Sequence, residues 1–302
     1  MKKSALYFFC ISTLLFSIKT IAKNKIIYDE EPSKSINKNH FLLADDSDFI
    51  IRHKLKTHFN PLDLNIYLSG LPTQKFFKLS FFDNISMANY LEALAIYNTR
   101  ANNFDDAILN FKQAYDLSLS LKNEFQSFAL AYNLASLYFI KNDLANADLY
   151  SNYANKYIKG LSKPKLTFDQ LLFESKIAAS QNQIKKAENL ILKNALPMSG
   201  RLGKKAAYAC YLQLGKIYLK AKRFTESKWF FIQALTTSSN INFKQGEIES
   251  LILLSKAKAE IKDYDLALQD LQKAKVLIEE GYPIYQEDLD LNLALVNKKL
   301  NP

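Results

Sequence analysis

Histidine and cysteine are the first residues to examine for chemistry, because they supply many metal ligands and nucleophiles. The three histidines are His40, His53 and His58. On a shared helix, His53 and His58 would be five residues apart and on different faces, whereas a helical metal pair uses a separation of four. We therefore expect no metal and no other cofactor.

The remaining candidates for chemistry do not predict catalysis. Cys210 lies among alanines with no histidine nearby in the sequence, which is typical of a small packed residue. Gly200 and Gly203 lack the preceding strand and the Lys-Ser/Thr pair of a phosphate-binding loop. Asp105 and Asp106 stand at an expected helix start, where the helix dipole accounts for them. The sequence thus predicts no catalytic residue and no enzyme.

Composition favours long helices. The chain has 302 residues, 48% of them hydrophobic, with only seven glycines and seven prolines. Few turn-forming residues and abundant Ala, Leu and Lys favour an all-α protein over a barrel or sandwich. The net charge of +10 suits acidic peptides, anionic lipid headgroups or surface polysaccharide, and without a dense basic block it disfavours nucleic acid.

The first 22 residues have the organisation of a signal peptide. Lys2 and Lys3 precede an apolar run from Ala5 to Ile18, which is shorter than the roughly 20 residues needed to span a bilayer. Thr20 and Ala22 approximate a cleavage pattern, so we expect cleavage after Ala22 and export to the periplasm or envelope. The alternative is an uncleaved anchor.

A period of 40 residues runs through the chain from about Ser86 to Gly281. Two columns hold mostly small residues: Ala107, Ala147, Ala187, Ser227, Ala267; and Ala114, Ala154, Asn194, Ala234, Ala274. Two further columns are mostly large and apolar: Phe104, Leu144, Ile184, Phe224, Tyr264; and Phe111, Ser151, Ile191, Phe231, Leu271. A pair of upstream columns contains Leu94, Leu134, Glu174, Leu214, Leu254 and Ala95, Ala135, Ser175, Gly215, Ser255.

Each column has a packing explanation. Antiparallel helices approach closely only where a small residue allows it, and large residues fill the flanking holes. Polar pairs before the second helix, such as Asn102 with Asn103 and Lys262 with Asp263, indicate the intervening turn. Glu174 and Asn194 occupy apolar columns and make the third unit degenerate.

The columns resemble the tetratricopeptide repeat family, whose signature is a Leu and small pair, then an aromatic, then Ala, aromatic and Ala. The fourth unit matches it best, with Leu214, Gly215, Tyr218, Phe224, Phe231 and Ala234. The resemblance implies a right-handed α-solenoid of antiparallel helix pairs that binds partners. Because the usual repeat has about 34 residues, a 40-residue period requires longer helices or longer turns.

In this family, the first helix of each pair lines a concave groove. Carried over to this sequence, the groove residues are Lys176, Lys216, Lys256, Lys220, Tyr132 and Phe139. Three lysines repeating at 40 residues could bind acidic groups on an extended peptide or its terminal carboxylate. The alternative is that they are ordinary solvated lysines.

The chain therefore divides into a signal peptide (1–22), a disordered linker (23–46), an N-terminal capping region (47–85), five repeats (86–281) and a C-terminal capping helix (282–302). Leu289, Leu293, Val296 and Leu300 share one face of that last helix. The aromatic cluster from Phe76 to Phe82 covers the first repeat, unless it binds a partner. An enzyme built from 47–84 is the least favoured alternative.

The sequence as a whole predicts an exported scaffold that holds a protein or peptide. Peripheral association of this scaffold with the envelope is compatible with the same pattern. The alternative is the ligand-sensing component of an envelope signalling system, with no kinase or DNA-binding domain on this chain.

Overall fold

A computed structural model describes residues 84–300 of the chain. The predicted signal peptide, the linker, the three histidines and nearly all of the N-terminal capping region lie outside the described residues, and those predictions are not tested by the structure. The predicted repeat segment lies inside them, except for the side chains of Ser86 and Arg100.

The described residues are helical almost throughout. The helices are α1 (Asn84–Arg100), α2 (Phe104–Ser120), α3 (Glu124–Ile140), α4 (Leu144–Leu161), α5 (Pro164–Ser180), α6 (Ile184–Asn189), α7 (Leu196–Leu202), α8 (Lys204–Lys220), α9 (Phe224–Ser239), α10 (Lys244–Glu260), α11 (Tyr264–Glu279) and α12 (Gln286–Leu300). A π-helical turn, Leu190–Ala195, joins α6 to α7, and a short 3-10 helix, Pro283–Tyr285, precedes α12.

The helices form successive pairs, named here by order: pair 1 is α1 with α2, pair 2 is α3 with α4, pair 3 is α5 with α6 and α7, pair 4 is α8 with α9, and pair 5 is α10 with α11. Consecutive helices pack against each other along the series, except that α6 and α7 are linked through the π-helical turn that both contact. Between Asn84 and Tyr264, the first residues of successive pair-forming helices are 20 residues apart. The fold is the predicted all-α solenoid.

The turns repeat as regularly as the helices. After α1, Asn102 has a φ of 60°, and the Asn103 amide donates to the Asn98 carbonyl oxygen at 2.8 Å. This is a Schellman ending, in which a left-handed residue satisfies the last helical carbonyls. Asn142, Asn182, Lys222 and Lys262 adopt the same conformation in the later turns. Because α1, α2 and α3 each have 17 residues and their turns are short, the extra length of the repeat lies in the helices.

The predicted small-residue column forms the contact between paired helices. Ala107, Ala147, Ala187, Ser227 and Ala267 are all 0% exposed. In pair 4 the first helix also carries a glycine, and a Cβ placed on Gly215 would lie 2.4 Å from Cε1 of Phe231. Ser227 Oγ also donates to the Gly215 carbonyl oxygen at 2.9 Å. The column is therefore a steric requirement of the fold.

In pair 3, the prediction that Asn194 interrupts an apolar column is wrong. Asn194 does not occupy the apolar column, because its side chain is exposed and Ala195 is 0% exposed in its place. The π-helical turn accommodates one additional residue between Ile191 and Ala195, which rotates the following side chains back into the core. The third unit keeps its small buried residue one position later than the period predicts.

Gly203 then restores the 40-residue spacing. It is the single residue between α7 and α8, where the other turns have more. Its φ of 94° and ψ of 174° belong to a region that essentially only glycine adopts. The added residue in the helix is thus offset by a shorter turn, and α8 begins in register.

Glu174 is the second departure in pair 3, and it does interrupt the apolar column. Its carboxylate accepts a hydrogen bond from Asn155 Nδ2. Burial raises the pKa of this carboxyl above its usual range, although the Asn155 hydrogen bond and the charge of Lys186 oppose the shift. A polar contact replaces the leucine packing of the other pairs.

The C-terminal helix α12 packs on pair 5. Leu289 and Val296 are buried in the same hydrophobic cluster as Leu271 and Ile278, and Leu300 is 40% exposed. Within residues 84–300, no helix combines the length and apolarity required to cross a bilayer.

Candidate functional site

A pocket of about 210 Å³ lies on the face formed by the first helices of pairs 3, 4 and 5. It brings together two of the predicted lysines, Lys176 on α5 and Lys216 on α8. The opposite wall is provided by Glu249 on α10 and Tyr285 of the 3-10 helix. The pocket is smaller than the roughly 300–1,000 Å³ of typical ligand sites, so it suits one side chain or one end of a longer ligand.

One of the residues that line this pocket is a carboxylate of the protein itself, Glu249. Lys216 Nζ lies 2.7 Å from Glu249 Oε1, and the Tyr208 hydroxyl donates to Glu249 Oε2 at 3.1 Å. The Lys216 side chain remains 37% exposed and that of Glu249 is 18% exposed. The ion pair is thus open to solvent and to a competing anion.

The electrostatics of the pocket follow from this arrangement. Burial alone would raise the pKa of Glu249, but the charge and hydrogen bond of Lys216, with smaller contributions from Tyr208 and Lys176, hold it below its usual range. Burial and the adjacent carboxylate raise the pKa of the Tyr208 hydroxyl, so it stays protonated as a donor. The charged residues that line the pocket, Lys176, Lys216 and Glu249, sum to a formal charge of about +1.

Gly246 shapes the wall beside Tyr208. A Cβ at this position would lie 2.4 Å from Cδ1 of Phe243 and 3.0 Å from Cζ of Tyr208. The Tyr208 and Phe243 rings pack edge to face, with centroids 5.3 Å apart. A rigid aromatic wall therefore positions the Tyr208 hydroxyl against Glu249.

The other predicted lysines lie outside the pocket. Lys256 is exposed on α10 and does not line it. Lys220 is exposed at the end of α8, where its ammonium donates to the Ser180 carbonyl oxygen at 3.3 Å. The predicted row of three equivalent lysines is therefore divided into two pocket lysines and one surface lysine.

The predicted aromatic residues lie in pair 2 and contact pair 3. Tyr132 is 2% exposed, and its ring centroid lies 5.1 Å from that of Phe173. Phe139 is half-buried and packs edge to face on the same ring, with centroids 5.8 Å apart. In this structure Tyr132 presents almost no surface to a ligand, and both rings stabilise the stacking of the two pairs.

Glu249 and Tyr208 are not among the residues predicted from the sequence. Side chains on the first helices of neighbouring pairs meet at a sequence separation of 33 or 34 residues. Gln126 bonds to Glu92 in the preceding pair, 34 residues away, and Lys216 meets Glu249 across 33 residues. A search for opposite charges at this separation would have found the ion pair. Tyr208 occupies a position that is filled by phenylalanine in pairs 2 and 3, so only its hydroxyl distinguishes it.

Two further predictions concern chemistry. Cys210 is 0% exposed, and burial raises the pKa of its thiol to about 12, as expected for a packed residue rather than a nucleophile. In the part of the chain that the structure describes, no three His, Cys, Asp or Glu side chains are grouped as a metal site would require.

Comparison with solved structures finds likeness of fold. A Rap protein complexed with Competence and Sporulation Factor aligns with a TM-score of 0.61 and 16% identity, over 95% of this chain and 81% of that one. The apo form of RapI aligns with a TM-score of 0.56 and 15% identity, over 64% of this chain and 71% of that one. A signal-transduction ATPase with a tetratricopeptide repeat sensor, from Pyrococcus horikoshii, aligns with a TM-score of 0.55 and 18% identity, over 85% of this chain and 43% of that one.

No family model and no curated protein matches the sequence. Identities of 15–18% carry information on the fold alone. The chain has the tetratricopeptide-like helical-repeat fold that these solved structures share.

Proposed function

We propose that this protein is a non-enzymatic scaffold that binds an extended peptide segment along the first helices of pairs 3 to 5. The observation that carries the proposal is the pocket lined by Lys176 and Lys216, in which Lys216 binds the partly exposed carboxylate of Glu249. A protein of similar fold was solved with a bound factor, which supports partner binding for an array of this kind.

The carboxylate of Glu249 indicates the chemistry of the ligand. Because Lys216 and Tyr208 already bind a carboxylate in this geometry, a carboxylate from a peptide side chain or C-terminus would find the same donors. The net positive formal charge of the residues that line the pocket favours an anionic ligand. Glu249 acts as an internal competitor that the ligand displaces, and the pocket volume admits one acidic group while the rest of the peptide lies along the open face.

The test is a binding titration with an array of labelled dodecapeptides that differ in net charge and in a free or amidated C-terminus. We expect acidic peptides to bind and basic ones not to. Lys176→Gln and Lys216→Gln should each weaken binding about tenfold, since one charge-assisted hydrogen bond contributes roughly 1.5 kcal/mol. Lys256→Gln is the matched control, because it removes the same charge from outside the pocket.

Glu249→Gln tests whether the carboxylate of Glu249 competes with the ligand or binds it. Removing the internal carboxylate should tighten binding of acidic peptides, whereas a ligand that used Glu249 as its own partner would bind more weakly. Equal binding by the Lys216→Gln and Lys256→Gln variants would refute the pocket as the binding site.

We further propose that the scaffold is exported, on the basis of the N-terminal sequence pattern. Intact mass measurement of protein purified from the producing cells checks this, with an N-terminus at Lys23 as the expected result. An unprocessed N-terminus in a cytosolic fraction would contradict it. The sensing alternative stays a prediction, and it requires that peptide binding change the association of this chain with a second envelope protein.

A further inference from the structure

A second cleft lies between the second helices of pairs 1 and 2. Its volume is about 450 Å³, which falls within the usual range for ligand sites. Tyr115 comes from α2, and Tyr150, Tyr153 and Tyr157 come from α4. The cleft is therefore lined by four tyrosine rings on helices that do not contribute to the Lys216 pocket.

The four rings hold one another in place. The centroid of Tyr115 lies 6.2 Å from that of Tyr150, 6.3 Å from that of Tyr153 and 6.5 Å from that of Tyr157. The hydroxyls of Tyr115 and Tyr157 are 3.4 Å apart. A ligand would meet rings that are already ordered, so little side-chain entropy would be lost on binding.

Packing of the solenoid does not require these tyrosines. Positions equivalent to Tyr150, Tyr153 and Tyr157 are Phe230, Gln233 and Thr237 in pair 4, and Asp270, Lys273 and Leu277 in pair 5. Tyr153 is 40% exposed even though its ring contacts two others. The cluster is thus a local feature of the first two pairs rather than a property of the repeat.

Charges at the cleft favour an anionic ligand. Lys112 and Lys156 line it together with Asp116, which gives a formal charge of about +1. The two ammonium groups lie over tyrosine rings, at 5.5 Å from the centroid of Tyr138 and 6.0 Å from that of Tyr157. Within residues 84–300, neither lysine forms an ion pair.

We propose that this cleft binds an acidic, proline-containing segment of a partner protein in the polyproline II conformation. Proline rings pack on aromatic faces, and polyproline II leaves its carbonyl oxygens without internal partners, so tyrosine hydroxyls can donate to them. The lining of α2 extends from Lys112 to Leu119, about 10 Å of helix, which matches roughly three residues of polyproline II. Lys112 and Lys156 would pair with acidic residues that flank the prolines.

This site is independent of the Lys216 pocket, and the two proposals can fail separately. The probe is an acetylated, labelled peptide, Glu-Pro-Pro-Glu-Pro-Pro-Glu, titrated against the full protein by fluorescence anisotropy. Its control peptide has alanine in place of every proline. Because both peptides are acidic and would also be ligands for the Lys216 pocket, they are titrated against the Lys176→Gln/Lys216→Gln protein, in which that pocket lacks both lysines. We expect the proline peptide to bind this protein at least about tenfold more tightly than the alanine peptide.

Variants on α4 then locate the site. Tyr153→Ala and Lys156→Gln should each weaken binding of the proline peptide about tenfold, and Tyr157→Phe should weaken it less, because it keeps the ring and removes only the hydroxyl. Leu149→Ala is the control, since Leu149 is 43% exposed on the same helix and does not line the cleft. Circular dichroism confirms that each variant is folded.

Three results would overturn the proposal. The first is equal affinity for the proline and alanine peptides. The second is binding of an anionic oligosaccharide, such as oligogalacturonate, to the cleft in preference to either peptide. The third is self-association of the protein, measured by sedimentation, that Tyr153→Ala abolishes and Leu149→Ala does not, because a second copy would then occupy the cleft.

Discussion

Pairs 3 and 4 both span 40 residues, but they reach this length differently. In pair 4, the regular helix α9 is followed by a turn of several residues, and Ala234 lies where the period predicts it. In pair 3, a π-helical turn adds a residue to the second helix, and Gly203 alone connects it to the next pair. The solenoid therefore constrains the rotational position of buried side chains more tightly than the length of any one helix or turn.

This compensation also affects the candidate site. Lys176 precedes the π-helical turn and Lys216 follows Gly203, yet both line one pocket. If the added residue had not been offset in the turn, α8 would begin one residue later. Lys216 would then point about 100° away from its present direction.

The largest expected difference between the pairs is their response to a deletion. Deleting Gln233 would move Leu235 into the fully buried site of Ala234, and we expect a loss of about 3 kcal/mol or more in the free energy of unfolding. Deleting the exposed Asn194 would turn the π-helical turn into α-helix and leave Ala195 in place, with a change within about 1 kcal/mol. Urea titration followed by circular dichroism measures both. Equal losses would contradict the role assigned to the π-helical turn.

The next effect concerns the close contact in pair 4. Gly215→Ala places a Cβ 2.4 Å from Cε1 of the fully buried Phe231, so we expect a loss of roughly 1–3 kcal/mol despite the better helix propensity of alanine. Ser175→Ala, at the equivalent position of pair 3, should cost less than about 1 kcal/mol, because a Cβ is already present there. Combining Gly215→Ala with Phe231→Leu should recover part of the loss if the clash is its cause.

Gly203→Ala tests the turn that offsets the added residue. Its backbone conformation is nearly forbidden to alanine, so we expect a loss of about 1–3 kcal/mol. Gly200→Ala is the internal control, since Gly200 is exposed and helical with no atom within 4 Å of a new Cβ. That substitution should raise stability by about 0.5 kcal/mol through helix propensity. Thermal unfolding of the two variants should therefore shift in opposite directions.

The smallest effect is expected at Glu174 and depends on pH. Its carboxyl has a raised pKa in the folded protein, so the folded state favours the protonated form. Stability should fall as pH rises from the unfolded value of about 4.3 through the folded pKa, because the buried carboxylate must then ionise. Glu174→Gln keeps a hydrogen-bonding oxygen for Asn155 and removes the titration, so its stability should exceed that of the original protein only at the higher pH. Urea midpoints measured at pH 4 and pH 7 check this, and parallel midpoints would contradict it.

Much of the fold could be predicted from the sequence because the signal repeats. Each column of small residues is reinforced by the same residue class 40 positions later, so a single exception such as Ser227 does not hide the pattern. The position of Asn194 could not be predicted in the same way. A π-helical turn changes the phase of a helix without changing its composition, and no single residue in Leu190–Ala195 signals it.

The candidate site was only half predictable. The spacing of Lys176 and Lys216 placed them on one face, as the period requires. Whether that face is neutralised depends on the next pair, and the contact between Lys216 and Glu249 arises only when α8 and α10 are stacked. Tyr132 was predicted to line the groove, but it is 2% exposed, because a residue on the first helix of one pair can face the next pair instead of solvent.

The sequence by itself determined the all-α solenoid, its 40-residue period and the small residues of the column that begins at Ala107. These properties are local or periodic, so they are encoded within one helix pair and repeated. Only the tertiary structure decided that Ala195 replaces Asn194, that Gly203 restores the register, that Glu249 occupies the lysine pocket and that four tyrosines meet between α2 and α4. Each of these depends on the rotation and distance between helices, which side-chain packing fixes only when the pairs are assembled.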